Sequence, residues 1–255
     1  MTVQIEQFMC RSDNFGVLVH DPVSGQTAII DAPEEGPIVA AIERTGWNPT
    51  HILTTHYHGD HVEANQALKS RYGLTIIGPL AESSRIPGID QTVSGGDTIE
   101  VCGEEIRVIA TPGHTAGHIV YHFTESGVLF AGDTLFALGC GRLFEGSAAD
   151  MHGALSTLRE LPDETLIYCG HEYTKANADF SVTVDPDNQQ LTERAAKIAE
   201  LRAADKPTLP TTMGAEKSTN PFLRWDDSSI RAHLGMEAAS DVDVFAEIRQ
   251  RKDRF

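Results

Sequence analysis

Within six residues, His56-Tyr57-His58-Gly59-Asp60-His61, this chain places three histidines and an aspartate. The apolar segment His51-Ile-Leu-Thr-Thr55 runs directly into them and reads as a short strand. Alternate residues of an extended chain point the same way, so His56 and His58 can meet one cation. Asp60 and His61 follow where a helix begins, and a loop entering a helix can turn them toward a neighbouring point. Four protein donors in six residues crowd a single tetrahedral centre, which favours two ions over one. Strand, turn and helix start thus share one stretch, and the chain around it must supply the remaining ligands.

Three further segments can supply them. Thr111-Pro-Gly-His114, Ala131-Gly-Asp133 and Cys169-Gly-His171 each follow a strand pattern and deliver one donor on a glycine-containing turn. Each is commonplace alone; together with the first run they predict a rim of ligands at one edge of the sheets, held by rigid strands. A carboxylate can bridge two ions, and Asp133 is the candidate. His118, four residues after His114, is expected to be a structural histidine at a strand entrance. The expected cofactor is two divalent ions, zinc foremost, although mixed His/Asp sites also accept iron or manganese.

Residues 1–172 alternate short strands with a few helices. Strands are predicted at 15–20, 27–31, 51–55, 74–77, 98–102, 105–111, 118–123, 128–131 and 165–169. Helices are predicted at 34–45, 60–72 and 150–161. This mixture implies an α/β sandwich of layered sheets and helices. From 173 to 255 only helices are predicted, at 173–184, 188–204, 228–233 and 242–251, with Asp185-Pro186 and Lys206-Pro-Thr-Leu-Pro210 between them. We therefore expect a catalytic domain over 1–172 and a small all-helical domain over 173–255.

Bulk properties narrow the function classes. The 37 acidic and 20 basic residues leave a net charge of −17, which opposes nucleic-acid binding over most of the surface. No apolar run approaches the roughly 20 residues of a membrane span, and the N-terminus lacks the pattern of a signal peptide, so a cytoplasmic location is expected. Cys10, Cys102, Cys140 and Cys169 are widely spaced and are expected to be buried thiols, not a disulfide or thiolate-metal framework. One basic cluster stands against the acidic background: Arg249, Arg251, Lys252 and Arg254. Taken alone, it reads as a helix C-terminus complementing its dipole.

The run Thr55-His-Tyr-His-Gly-Asp-His61 resembles the signature of the metallo-β-lactamase superfamily, which implies an αββα sandwich with a metal site at its edge. The segments Gly139–Gly146, Tyr168–Thr174, Asn177–Asn188 and Thr219–Arg224 are similar to those of the glyoxalase II family, the hydroxyacylglutathione hydrolases. The likeness extends from near residue 10 to the C-terminus. It implies hydrolysis of S-D-lactoylglutathione to D-lactate and glutathione, the second step of methylglyoxal detoxification. It also implies His56, His58 and His114 on one ion, Asp60, His61 and His171 on the other, and Asp133 as the bridge. For glutathione it implies Arg142 where the family often has Lys, Phe144 where it often has Tyr, and Tyr173, Arg249 and Lys252. The basic C-terminus then serves the carboxylates of glutathione in the 173–255 domain.

The chemistry agrees with this set. Metal ions lower the pKa of bound water from 15.7 to about 7, so a bridging hydroxide is the expected nucleophile, aimed by Asp60. A thiolate leaving group, with conjugate pKa of about 8.5, needs no strong general acid. No convincing Gly-x-Ser-x-Gly nucleophile elbow is present. The expected partner is a small-molecule thioester met by a monomeric enzyme, with neither nucleic acid nor membrane. The alternative is a persulfide dioxygenase with one iron held by two His and an Asp; it would leave His58, Asp60, His61 and His171 surplus.

Overall fold

The computed structural model describes residues 3–255, arranged as two compact units. The first runs to Ala110 and resumes over Gly117–Gly132; the second comprises Thr111–Ala116 and everything from Asp133 onward.

In the first unit, β1 (Gln4–Cys10), β2 (Asn14–His20), β3 (Thr27–Ile30), β4 (His51–Leu53), β5 (Thr75–Pro79) and β6 (Gln91–Val93) form one sheet in chain order. The first two pairings are antiparallel and the last three parallel. Parallel strands are covered on both faces, which is why the inner segments read as nearly continuous apolar runs such as Thr27-Ala-Ile-Ile30. One face, carrying Leu18, Ile29, Ile52 and Ile76, packs on Ile38, Ala41 and Ile42 of α1 (Glu35–Thr45), Val62 of α2 (Gly59–Val62) and Leu68 of α3 (Asn65–Tyr72). The other face meets an antiparallel sheet of β7 (Thr98–Val101), β8 (Glu104–Ala110), β9 (Ile119–Phe123) and β10 (Val128–Phe130). The buried Tyr121 hydroxyl of β9 donates to Thr54 O at 2.9 Å, and Ile119 N donates to Thr55 O at 3.0 Å. These bonds anchor the end of β4, where the histidine run begins.

The second unit opens with the hairpin β11 (Leu135–Phe136) and β12 (Gly139–Cys140). Then come α4 (Ala148–Arg159), β13 (Leu166–Tyr168), α5 (Thr174–Val184), α6 (Gln189–Ala203), β14 (Thr211–Thr212), α7 (Met213–Thr219), α8 (Ser228–Leu234) and α9 (Asp241–Arg254). A capping box between Ser147 and Asp150 starts α4. Asp227 and Ser240 side chains cap α8 and α9.

The elements correct the sequence reading in several places. The helix expected over 60–72 is two pieces, because the chain breaks between Val62 and Asn65. Strand β1 escaped the pattern reading because only Cys10 of its seven residues is buried. The region after 172, expected to be purely helical, contains β14, whose two residues pair with Leu166 and Ile167. Two residues leave no periodicity to read.

Candidate metal centre

In the first unit, β4 ends at Leu53, and Thr54, Thr55 and His56 continue it fully buried. His58 occupies the N-cap position of α2, whose first turn carries Asp60 and His61. Donor atoms of His56 lie within 4.8 Å of those of His58 and His61, as do those of Asp60 and His61. His56 Nε2 and His58 Nδ1 are 3.1 Å apart.

One buried carboxylate fixes this arrangement. Asp31, just past β3, accepts from Thr55 N at 2.8 Å and Thr55 Oγ1 at 2.9 Å, and from His61 Nδ1 at 2.8 Å. A carboxylate only accepts, so the Thr55 hydroxyl proton points to Asp31. The same hydroxyl oxygen then accepts from His56 Nδ1 at 3.0 Å. Both imidazoles carry their proton on Nδ1, which leaves the Nε2 lone pairs as the cation donors. Asn14 Nδ2 donates to Asp60 Oδ2 at 3.1 Å and to Asp60 O at 3.2 Å. Buried Glu82 accepts from Tyr57 N and Gly117 N, each at 2.9 Å, and so pins the middle of the run. Asp31, Asn14 and Glu82 were not singled out in the sequence. Only the last residue of a strand pattern, Asp31, carried any signal there. His118 is buried, with its ring stacked on His56 at 4.8 Å.

In the second unit, His114 and His171 converge on Asp133. Their Nε2 atoms lie 3.4 and 3.3 Å from the same oxygen, Asp133 Oδ2. All three side chains are buried. Two donors 2.0–2.1 Å from one ion at a tetrahedral angle stand about 3.3 Å apart, so the spacing fits ligands of a small divalent cation. One oxygen equidistant from two imidazoles fits a bridging carboxylate. His114 Nδ1 donates to Arg142 O at 2.9 Å, which again leaves Nε2 as the lone-pair nitrogen. Gly141, before Arg142, admits no side chain: a Cβ there would sit 2.0 Å from Asp133 O. The His171 ring stacks on Tyr173, with centroids 4.6 Å apart and planes 4° apart.

The expected glutathione-binding residues also lie in this unit. Phe144 is 62% exposed and meets the His114 ring edge-on at 5.2 Å. Arg142 is exposed, and Tyr173 is 39% exposed. Lys252 donates to Ala176 O at 2.8 Å, with the Phe180 and Phe255 rings 5.2 and 5.3 Å from its ammonium. Burial, with Arg249 and Arg142 nearby, lowers its pKa to about 8. Arg249 differs from these: it is 5% exposed, and its donors go to Cys140 O and Asp253. All four cysteines are buried and free, as expected, and burial pushes the Cys10 and Cys102 thiols up to about 12.

This fold and donor set are those of the metallo-β-lactamase superfamily, whose family model matches residues 11–171. Residues 172–255 match the model described as the hydroxyacylglutathione hydrolase C-terminus. A curated hydroxyacylglutathione hydrolase of Mesorhizobium japonicum is 67% identical over all of both chains. One from Rhizobium meliloti is 63% identical over 99% of each chain. Among solved structures, ETHE1 from Myxococcus xanthus is 25% identical with a TM-score of 0.70, covering 97% of this chain and 90% of that one. The chain belongs to the hydroxyacylglutathione hydrolase family and is a hydrolase. Membership and the His/Asp donors together imply divalent metal ions. Among the described residues, no helix is long and apolar enough to cross a membrane.

Proposed function

We propose that this chain hydrolyses S-D-lactoylglutathione and related S-2-hydroxyacylglutathiones to the 2-hydroxy acid and glutathione, as the second step of methylglyoxal detoxification. The observation that carries this reading is the surroundings of Asp133. One carboxylate oxygen lies at ligand spacing from two imidazoles, in the same compact unit as Arg142, Tyr173 and Lys252.

His56, His58 and His114 would hold one ion, Asp60, His61 and His171 a second, and Asp133 would bridge them. Zinc suits these nitrogen and oxygen donors. Bound there, the ions supply a water acidified toward neutral pH and a polarised thioester carbonyl. The chain's own residues do the rest. Asp31 and Thr55 hold the His56 and His61 rings in the ligating tautomer. Asp60, steadied by Asn14, would accept a hydrogen bond from the nucleophile and aim it. The departing thiolate has a conjugate pKa of about 8.5, so no side chain need protonate it. Lys252 and Arg142 attract the carboxylates of glutathione, and Tyr173 and Phe144 offer aromatic surface to the tripeptide. Residues 1–172 would then be the catalytic domain and 173–255 the glutathione-binding domain of a cytoplasmic monomer.

The test is hydrolysis of S-D-lactoylglutathione paired with metal analysis. Turnover with two ions per chain is expected; inactivity of the fully loaded protein would sink the proposal. Lys252→Ala should raise KM roughly tenfold with kcat nearly unchanged, because the ammonium meets a remote part of the substrate. Oxygen uptake with glutathione persulfide would instead favour the mononuclear dioxygenase. That reading gives no role to the His61–Asp31 and His171–Asp133 contacts.

A further inference from the structure

A run of ligands needs its backbone fixed as well as its rings. Asp31 and Thr55 settle the His56 and His61 rings, but the peptide between His56 and His58 is held from another direction. Strand β5 runs into a short 3-10 turn, Leu80–Arg85, whose Glu82 is buried. Each oxygen of Glu82 takes one amide: Oε2 accepts from Tyr57 N and Oε1 from Gly117 N, both at 2.9 Å. The Tyr57 N–H belongs to the peptide that joins His56 to Tyr57. Gly117 immediately precedes His118, whose ring lies against that of His56, and Ile119 N donates to Thr55 O. So close an approach leaves no room for a side chain at 117, where a Cβ would lie 2.6 Å from Glu82 Cγ and 2.8 Å from Ala81 Cβ. The same turn lays the Arg85 guanidinium over the Tyr57 ring, which packs edge-to-face with the His58 ring at 4.8 Å.

From this geometry, and on the reading of His56 and His58 as ligands of one ion, we infer that Glu82 is a positioning residue for that donor pair. Its carboxylate clasps the Tyr57 and Gly117 amides together and so fixes the peptide on which both imidazoles hang. A peptide unit is planar, so holding its N–H restrains the two soft dihedrals on either side, ψ of His56 and φ of Tyr57. Those dihedrals set how the His56 and His58 side chains stand to each other. His56 Nε2 and His58 Nδ1 are thereby preset 3.1 Å apart and need little rearrangement to take a cation. A carboxylate suits the task because both of its oxygens accept, whereas an amide has one acceptor.

The experiment loads the protein with cobalt(II) and measures its visible absorption and the rate of metal loss to a chelator, beside kcat and KM. The proteins are wild type, Glu82→Ala, Glu82→Gln and Asp90→Ala. Asp90 is the structural control: it accepts from Ile76 N of β5 at 2.9 Å and from Lys69 of α3, bonds that hold the sheet and helix and not the ligand run. Glu82→Ala is expected to lose metal roughly tenfold faster or more, to change the cobalt absorption, and to lower kcat with KM little altered. Glu82→Gln keeps an acceptor for one amide and turns an NH2 toward the other, so its rate of metal loss should lie between. It also serves as the reporter should Glu82→Ala fold poorly. Asp90→Ala should unfold at a lower urea concentration than wild type yet hold metal at the wild-type rate. If Glu82→Gln keeps the wild-type rate and absorption, the two-amide clasp is overturned. If Asp90→Ala loses metal as fast as Glu82→Ala, metal loss reports a general loosening and the inference is equally overturned. A wild type that takes up no cobalt would refute the ligand reading and the inference with it. A wild type that holds metal but does not cleave the thioester would refute the assigned reaction alone.

Discussion

At the scale of single residues, Asp31 has the widest reach. It sits buried in a left-handed backbone conformation, φ 54°, with its carboxylate accepting from Thr55 and His61. Asparagine there would keep one acceptor and substitute a donor that faces either the Thr55 N–H or both the Thr55 hydroxyl and the His61 N–H. Asp31→Asn should therefore weaken metal affinity by about 10–100-fold, measured by competition with a chelator, while the folded far-UV spectrum persists. Lys252 gives a second prediction. Its pKa is lowered to about 8, so the ammonium is mostly present at pH 7 and mostly lost by pH 9. A substrate carboxylate needs that ammonium, so KM should climb several-fold between pH 7 and 9, read from initial rates. Lys252→Arg, which stays charged, should flatten the climb. An unchanged alkaline profile in that variant would count against Lys252 as the carboxylate partner.

The element that organises the second unit is the turn between β11 and β12. Leu138 takes φ 58° there, and its backbone polar groups are held by side chains from after residue 172. Asn177 Nδ2 donates to Ala137 O, Ser181 Oγ to Leu138 O, and Asn220 Nδ2 to Phe136 O and Gly139 O. Glu216, fully buried, accepts from Leu138 N at 2.8 Å and pairs with Arg194. The segments Asn177–Asn188 and Thr219–Arg224, noted in the sequence only as family likenesses, thereby acquire a physical task. They satisfy a buried turn that carries the chain toward Gly141 and His114. Glu216→Ala would take from the Arg194 guanidinium its carboxylate and from the buried Leu138 N–H its acceptor. A stability loss of about 3 kcal/mol or more is expected, checked by urea unfolding at pH 7.

For the whole molecule, activity should depend on metal and charge together. Prolonged chelation is expected to abolish thioester hydrolysis, and added zinc to restore it; retained turnover in metal-free protein would contradict the site. The net charge of −17 opposes the binding of a polyanion over most of the surface. Duplex DNA should therefore neither bind at physiological salt nor compete with substrate, as tested by electrophoretic shift and by rates.

What the sequence determined by itself was whatever depends on neighbours along the chain. The His56–His61 run, the three glycine-borne donors, the parallel-strand apolar runs of β3–β5 and the helical texture after residue 172 are patterns of short range. A donor set of that kind is legible because strand and helix periodicity alone decide which way such residues face. What only the tertiary structure decided was who holds the donors and which cations remain available. Asp31 is 30 residues from His61, and Arg249 is 109 from Cys140, so no local pattern could couple them. Packing buried Arg249 and left Lys252 partly exposed, though both belong to one basic cluster and stand three residues apart. On a helix packed along one side, that spacing lets one guanidinium face the core and its neighbouring ammonium reach the margin, a choice made by packing and not by composition.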